Sequence, residues 1–345
     1  MLGCADLVLA LPQRGGIEAP LGSPVVEKII LDCDPGHDDA VAILLAAGNP
    51  EIDLLAITTV AGNQTLEKVT RNAMAVCAAG GITVPIAAGA AGPLVRPQYV
   101  AEDIHGNSGL DGPVLPAATL ELDPRHAVDV IIDIVMSEEP GTVHLVPTGP
   151  LTNIALAMRK EPRIVERVKS VVLMGGAYTR GNVTSAAEFN IYVDPEAAEV
   201  VFAADWDVTM VGLDLTHQAT ATPDVIERIT AVGGPLATFV TDMLGFFRST
   251  YLERFGFPDP PVHDPCCVAK LIDPAVFATR DAFVAVELTG RWTSGMTYTV
   301  FDPERSVPEV REAAAGRRRT KVATTLDKDR FWDLVVDALG RLTQK

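Results

Sequence analysis

Residues 29–46 read IILDCDPGHDDAVAILLA. Apolar, mostly branched residues precede the first aspartate, and a helix-forming run of Ala, Val, Ile and Leu follows the last one. This pattern predicts a buried strand, a tight turn at Pro35-Gly36 and then a helix. The acidic residues of the segment therefore gather where the strand ends and the helix begins.

Four carboxyl groups belong to this turn: Asp32, Asp34, Asp38 and Asp39. Like charges at such close spacing repel one another, so one or more would stay protonated unless a cation lies among them. Oxygen ligands favour a hard divalent ion such as calcium, magnesium or manganese. The sequence thus predicts a metal site, and the centre of the protein's chemistry, at this turn.

Short β-branched runs alternate with longer helical runs from residue 25 onwards. The predicted strands are residues 27–33, 52–60, 84–88, 143–148, 170–175 and 207–214. The predicted helices are residues 38–48, 65–79, 126–138, 150–160, 195–204 and 328–343, and residues 284–326 are expected to add strands and turns. Such alternation is typical of an α/β fold with an open, mostly parallel sheet and helices on both faces. We expect one domain over residues 25–345, preceded by a flexible extension, residues 1–24.

Composition disfavours several classes of protein. The formal charge of −17, without an offsetting basic patch, argues against nucleic acid as a partner. No apolar run approaches the roughly 18 residues of a membrane-spanning helix. The cysteines are odd in number and scattered, without a CxxC pair, which disfavours a zinc site or a disulfide framework. We therefore expect a cytoplasmic enzyme with reduced thiols.

In an open α/β sheet, ligands bind at the carboxyl ends of the strands. Polar or glycine-rich groups follow several predicted strands: Asp32 and Asp34, Gly62-Asn63, Thr148-Gly149-Pro150, Met174-Gly175-Gly176 and Asp214. Turn formation alone accounts for some of these residues. Their gathering at one edge of the sheet nevertheless supports a single site there.

Two later segments hold candidate binding residues. Glu188 and Asn190 are two apart, so in an extended segment both face the same way and suit a sugar diol; a polar strand edge is the alternative. Residues 99–112, which include His105, form either a lid over the site or a plain surface loop.

Aromatic residues are concentrated in residues 246–257. Phe247, Tyr251 and Phe255 are spaced by four and share one face of a helix. A core-facing stripe is the default interpretation. Because several prolines follow directly, we expect a mobile helix and loop whose rings stack on a planar ligand.

Two other motifs share features with the aspartate cluster. An EF-hand loop beginning at Asp32 requires glycine and glutamate where His37 and Ile43 stand, so it is excluded. A phosphatase of the haloacid dehalogenase type also ends its first strand in Asp-x-Asp, with Asp32 as nucleophile. Such phosphatases usually have a hydroxyl residue where Gly36 stands, so this interpretation remains an alternative.

The run from Asp32 to Ala40 resembles the N-terminal signature of the inosine–uridine-preferring nucleoside hydrolases. The resemblance continues in the family's order through Ala61-Gly62-Asn63, Pro147-Thr148-Gly149-Pro150-Leu151-Thr152-Asn153, Met174-Gly175-Gly176, Glu188-Phe189-Asn190 and Val262-His263-Asp264-Pro265. It covers the chain from residue 26 to the C-terminal helix and points to the non-specific branch. It implies a Rossmann-like fold, a homo-oligomer (dimer or tetramer) and one calcium ion per subunit.

The resemblance also implies roles for individual residues. The calcium ligands would be Asp34, Asp39, Asp264 and the carbonyl oxygen of Thr148, with Asp34 also acting as general base. The ribonucleoside would be held by Asp38, Asn63, Met174, Glu188, Asn190, Phe189 and His105. His263 would face the leaving base as its acid, with Tyr251 and Phe247 closing over it.

The implied reaction is calcium-dependent hydrolysis of the N-glycosidic bond of ribonucleosides such as inosine and uridine, which gives ribose and a free base. Calcium acidifies water less than zinc does, so a carboxylate base is still required. Contacts with the ribose hydroxyls predict poor activity on deoxyribonucleosides. The competing class is a non-catalytic nucleoside- or ribose-binding protein, which needs the diol contacts but no attacking water.

Overall fold

The computed structural model describes residues 26–118 and 120–344, so the predicted extension, residues 1–24, lies outside the described residues. The strands in this part of the chain are β1 (Glu27–Cys33), β2 (Ile52–Thr59), β3 (Ile86–Ala88), β4 (Val143–Pro147), β5 (Val168–Met174), β6 (Val208–Val211), β7 (Phe277–Val286), β8 (Thr297–Val300) and β9 (Thr320–Leu326). They form one sheet in the order β3-β2-β1-β4-β5-β6-β9-β7-β8.

Strands β1 to β6 pair parallel with one another, β9 pairs parallel with β6, and β7 pairs antiparallel with both β9 and β8. The predicted open, mostly parallel α/β sheet is confirmed. Residues 284–326 add strands as expected, and these strands extend the sheet beyond β6.

The α-helices in the described residues are α1 (His37–Gly48), α2 (Leu66–Gly80), α3 (Glu102–His105), α4 (Ala127–Ser137), α5 (Thr152–Lys160), α6 (Ile164–Arg167), α7 (Phe189–Val193), α8 (Pro195–Ala203), α9 (Leu213–Thr216), α10 (Pro223–Val232), α11 (Gly234–Phe255), α12 (Pro265–Ile272), α13 (Pro308–Ala315) and α14 (Lys328–Thr343). None of them combines the length and the apolar character that crossing a bilayer requires.

Strand β1 separates two hydrophobic clusters. Leu31 belongs to the cluster on one face of the sheet and Ile30 to the cluster on the other, as the alternation of a strand requires. Helix α1 follows β1 directly and is buried on almost every side, because it packs against α12 and α14. Asp38 and Asp39 lie in its first turn, where the helix dipole favours negative charge.

The end of the strand predicted at residues 207–214 is wrong. Strand β6 ends at Val211, and Asp214 lies in the short helix α9 instead of at a strand end. Gly212 separates the two elements, and Asp214 Oδ2 accepts a hydrogen bond of 2.7 Å from the amide of Tyr178. This carboxylate therefore organises a neighbouring loop.

Two further segments differ from their predicted conformations. Glu188 and Asn190 do not lie in an extended segment, because Glu188 is the N-cap of α7 and its carboxylate accepts from the amides of Asn190 and Ile191. The aromatic residues from 246 to 255 lie on a helix as predicted, but that helix is the end of the 22-residue α11, and Phe247 and Tyr251 on it are buried.

Candidate active site

Most of the predicted site residues line one cavity at the carboxyl edge of the sheet. These lining residues are Asp38, Asn63, His105, Thr148, Met174, Glu188, Phe189, Asn190, Tyr251, His263 and Asp264. They come from the end of β5, from loops and helices that follow β1 to β5, from the last turns of α11 and from the start of α12. Asp34 and Asp39 lie beneath this surface and are almost completely buried.

An acidic cluster forms the floor of the cavity. One carboxylate oxygen each of Asp38, Asp39 and Asp264 lies within 4.8 Å of the others. Burial, followed by repulsion from Asp39, raises the pKa of Asp38 to about 7. Burial and the neighbouring acids also hold the pKa values of Asp34 and Asp264 well above those of ordinary aspartates. A bound cation would therefore stabilise the ionised form of these carboxyl groups.

Three buried carboxylate oxygens have no hydrogen-bond partner in the described part of the chain: Asp32 Oδ2, Asp34 Oδ1 and Asp38 Oδ1. Native proteins pair nearly all such atoms, and an ion is a standard explanation for an exception. Hard, oxygen-only ligands suit calcium, magnesium or manganese. The donor set thus fits a divalent cation. The three carboxylates that lie close enough to share an ion are those of Asp38, Asp39 and Asp264, whereas the sequence predicted Asp34 as a ligand in place of Asp38.

Asp34 is enclosed by backbone. Its Oδ2 accepts a 2.6 Å hydrogen bond from the amide of Asn63. A Cβ atom at Gly62 would lie 2.1 Å from that oxygen, and one at Gly149 would lie 2.7 Å from Oδ1. The two glycines therefore allow the chain to approach the carboxylate from both sides.

Asp39 is fixed by a separate set of donors. Its Oδ1 accepts from the Thr148 hydroxyl at 2.8 Å, and its Oδ2 accepts from the Gly36 amide at 3.0 Å and the Asn63 side chain at 3.3 Å. The carbonyl oxygen of Thr148 accepts from Nδ2 of Asn190 at 2.7 Å. Loops after three strands are thereby joined around one carboxylate.

Glu188, Asn190 and Met174 form the wall beside the acidic cluster. Asn190 Nδ2 donates to the carbonyl oxygen of Met174 at 3.0 Å, and Glu188 accepts from the amides of Gly176 and Asn190 at 2.8 and 2.9 Å. Burial raises the pKa of Glu188 to about 7. A carboxylate and an amide oxygen held in this way can accept hydrogen bonds from sugar hydroxyls.

Tyr251 and His263 form another part of the cavity lining, and a chain of hydrogen bonds links them to Thr216 behind it. Nδ1 of His263 lies 2.7 Å from the Thr216 hydroxyl, and Nε2 lies 2.8 Å from the Tyr251 hydroxyl. Burial lowers the pKa of His263 well below its usual range and raises that of Tyr251. His263 is therefore a neutral ring at pH 7, and both of its nitrogens are already engaged.

Phe247 lies behind the cavity, which corrects the prediction that it closes over a bound base. Its side chain is 1% exposed, and its ring stacks on that of His37 at 5.0 Å between centroids. Tyr251, one turn later, reaches the cavity and contacts Phe247 edge-on at 4.6 Å. The spacing by four predicts that both rings share one helix face, but it does not show which of them borders the cavity.

Sequence reasoning missed several cavity residues, among them Asn182, Val183 and Arg254, and it gave Tyr99 and Asp103 no role beyond the lid candidate, residues 99–112. Nε of Arg254, at the end of α11, lies 3.1 Å from Oδ2 of Asp103 in α3, so an ion pair joins the two sides of the cavity mouth. The lid interpretation of residues 99–112 included Asp103, but the sequence could not show that Arg254 lies beside it, because only the fold brings the two segments together.

Asp32 lies outside the cavity lining and is fully buried. Its Oδ1 accepts from the Thr58 hydroxyl at 2.6 Å and from Asn153 at 2.8 Å. A phosphatase nucleophile must reach its substrate, so this placement contradicts the haloacid dehalogenase alternative.

Comparison with known proteins agrees with this geometry. The family model described as inosine-uridine preferring nucleoside hydrolase matches residues 29–333. An inosine-uridine preferring nucleoside hydrolase from Crithidia fasciculata is 56% identical over 92% of this chain and 98% of its own length. The pyrimidine-specific ribonucleoside hydrolase RihB from Escherichia coli O157:H7 (strain EC4115 / EHEC) is 47% identical over 90% of this chain and 96% of its own length.

Solved structures show the same likeness in three dimensions. A purine-preferring ribonucleoside hydrolase from Gardnerella vaginalis superimposes with a TM-score of 0.83 at 32% identity, covering 92% of this chain and 99% of that one. These relatives are enzymes by name, which rejects the non-catalytic binding protein as the class of this chain. The chain belongs to the inosine-uridine preferring nucleoside hydrolase family and is a ribonucleoside hydrolase.

Proposed function

We propose that this chain hydrolyses the N-glycosidic bond of both purine and pyrimidine ribonucleosides, with inosine and uridine as substrates and calcium as the cofactor. The proposal rests on one observation. Asp38, which carries one of the buried carboxylate oxygens without a partner in the described residues, lines the same cavity as the hydroxyl-binding pair Glu188 and Asn190 and the Tyr251–His263 chain. The carboxylates, the groups that suit a sugar and the side chains that can carry a proton thus surround one cavity.

The ion would be held by Asp34, Asp39, Asp264 and the carbonyl oxygen of Thr148. When bound, calcium would neutralise the repulsion among these acids and acidify a water molecule. Asp38 supplies a further oxygen close to the same cluster. Its place beside Asn63 in the cavity lining suits a second task, accepting a ribose hydroxyl.

Asp34 is the general base in this proposal. One of its oxygens is fixed by the Asn63 amide, and the other is free of partners in residues 26–118 and 120–344. The free oxygen accepts a proton from the attacking water as the water adds to the sugar carbon. General-base assistance of this kind contributes about 100- to 10,000-fold in rate.

The sugar is oriented by Asp38, Asn63, Met174, Glu188 and Asn190, with Phe189 and His105 bordering the bound nucleoside. As the bond to the base breaks, positive charge develops on the ribose, as in glycoside hydrolysis generally. Hydroxyl contacts that strengthen with this charge speed the reaction, so loss of a ribose hydroxyl costs rate as well as affinity. Discrimination against deoxyribonucleosides follows.

Proton delivery to the leaving base involves His263 together with Tyr251. Because Nε2 of His263 is engaged by the Tyr251 hydroxyl, a proton from His263 reaches the base through that hydroxyl. The tyrosine O–H is then restored from Nε2 of a His263 ring that has taken up a proton beforehand. The ring returns to its neutral form and regains a proton from solvent before the next turnover. His263 thus acts through Tyr251 and not by direct contact.

The proposed activity is tested by incubating the full chain with inosine or uridine in the presence of calcium and assaying free base and ribose. Both substrates should be cleaved, and release of phosphate from a nucleotide should be absent. Asp34→Asn keeps the side-chain volume and an acceptor for the Asn63 amide, and it should lower turnover by about 1,000-fold. Turnover near that of the parent would remove Asp34 as the base.

We also infer a homo-oligomer, a dimer or tetramer, in the cytoplasm. The family resemblance supports the assembly, and the buried free thiols Cys33, Cys77, Cys266 and Cys267 suit a reducing compartment. Light scattering on the purified chain tests the assembly, because a monomeric mass would contradict it.

A further inference from the structure

We propose that His37 is a positioning residue that holds His105 in one tautomer, with the proton on Nδ1 and a bare Nε2 directed at the nucleoside. The inference deepens the proposed function and rests on it, because His105 can act on a nucleoside only if the cavity binds one. His37 does not line the cavity, and the reaction described above makes no use of it.

The backbone sets the tautomer of His37. Nε2 of His37 lies 2.9 Å from the carbonyl oxygen of Asp111. A carbonyl oxygen can only accept a hydrogen bond, so this nitrogen carries the proton. The other nitrogen of the neutral ring, Nδ1, is therefore bare and can only accept.

His37 then sets the tautomer of His105. The two Nδ1 atoms lie 3.0 Å apart, and one of them must donate. Since Nδ1 of His37 is the acceptor, Nδ1 of His105 carries the proton. The reverse arrangement would place a bare nitrogen against the Asp111 carbonyl at 2.9 Å, and its only gain is a long contact of 3.4 Å from the His37 amide to the same His105 nitrogen.

A doubly protonated His37 would satisfy both contacts, but its surroundings oppose the charge. The ring is fully buried and stacks on Phe246 at 5.4 Å and on Phe247 at 5.0 Å. No carboxylate hydrogen-bonds to it within the described residues, where its two ring nitrogens are bonded to His105 and to a backbone carbonyl. A buried cation without a paired anion is strongly disfavoured.

The remaining nitrogen of His105 is its Nε2. It has no hydrogen-bond partner in the part of the chain that the structure describes, and His105 lines the cavity. A bare imidazole nitrogen accepts a hydrogen bond from an O–H or N–H of a ligand and has no proton to give. His105 thus orients the nucleoside by accepting, which leaves protonation of the base to the Tyr251–His263 chain.

Nitrogen-15 NMR of the full chain labelled at histidine tests the tautomer directly, since protonated and bare ring nitrogens resonate far apart. His105→Ala identifies the His105 signals by their loss. The proposal expects a protonated Nδ1 and a bare Nε2 in the ligand-free protein. A protonated Nε2 on His105, or a doubly protonated His37, would overturn it. This readout needs no turnover, so it stands apart from failure of the proposed function.

Kinetics test whether His37 acts through His105. His37→Leu removes the acceptor and should lower kcat/KM for inosine by about fivefold, the effect of one ordinary hydrogen bond. The same change in a His105→Ala background should cost less than about twofold, because the group it positions is gone. Equal losses in both backgrounds would show a merely structural role. Phe246→Leu, which trims the same stack without touching a polar contact, is the control and should leave the His105 tautomer unchanged.

Discussion

The Tyr251 hydroxyl lies 2.8 Å from Nε2 of His263, whose other nitrogen is 2.7 Å from the Thr216 hydroxyl. Neither ring nitrogen is free to meet a leaving base on its own. The tyrosine and the histidine therefore form one unit, in which the tyrosine hydroxyl is the end that faces the cavity.

This unit predicts non-additive kinetics. Tyr251→Phe and His263→Ala should each lower kcat for inosine by about 100-fold, and the double variant should be little worse than either. Hydrolysis of a nitrophenyl riboside should change far less, because its leaving group needs no proton. Tyr298→Phe, on strand β8, is the matched control. Equal losses on both substrates would remove the pair as the proton source.

Gly62 offers a steric test of Asp34. A Cβ atom there would lie 2.1 Å from Asp34 Oδ2, whereas a Cβ at Gly92 would meet nothing within 4 Å. Gly62→Ala should displace the carboxylate and lower kcat by at least tenfold, and Gly92→Ala should retain the parent's activity. Steady-state assays of the two variants, with circular dichroism as a check on folding, decide the matter. Similar activity in both would contradict the placement of Asp34.

Metal removal should destabilise the protein in a pH-dependent way. The pKa of Asp38 is about 7 in the folded chain against an ordinary 3.8, so the ion-free fold takes up a proton between these values and loses stability as the pH rises through them. A bound cation replaces that proton. A chelator should therefore lower Tm more at pH 8 than at pH 5, with about 2.7 kcal/mol at stake when the ion exceeds its Kd 100-fold. Scanning calorimetry measures this, and a chelator effect independent of pH would argue against the cation.

The ion pair between Arg254 and Asp103 should hold residues 99–112 over the cavity. Because both side chains are partly exposed, the pair is worth about 0.2–1 kcal/mol. Asp103→Asn should raise KM for inosine by about two- to fivefold with little change in kcat. Exchange of the two charges should restore KM. Asp302→Asn, which breaks another exposed ion pair with Arg305, is the control, and a matching rise in KM there would contradict the lid.

Local patterns in the sequence were enough for the elements that carry the acidic cluster. The apolar run ending at Asp32 and the helical run beginning near Asp38 predict β1 and α1 almost to the residue. The rule that ligands bind at strand ends then brings Asn63 and Thr148 to the same edge. Both inferences work because they depend on periodicity and on the fixed direction of parallel strands.

Contacts between distant segments could not be predicted in this way. His37 and His105 are 68 positions apart, and only the path of the loop after β3 brings their rings together. Phe247 and Tyr251 share a helix face, but the depth of the cavity decides which ring reaches it. The sequence pattern suggested an extended segment at Glu188, because its role as an N-cap depends on the amides that follow it in a tight turn.

The central claim is that the acidic cluster holds a divalent ion needed for cleavage of a ribonucleoside. The most direct test is the rate of free-base release from inosine by chelator-treated, dialysed protein before and after calcium is added back, with bound calcium counted in the same samples. The account predicts almost no release without the ion, and recovery as one calcium binds per chain. Full activity in protein shown to be free of divalent ions would contradict it.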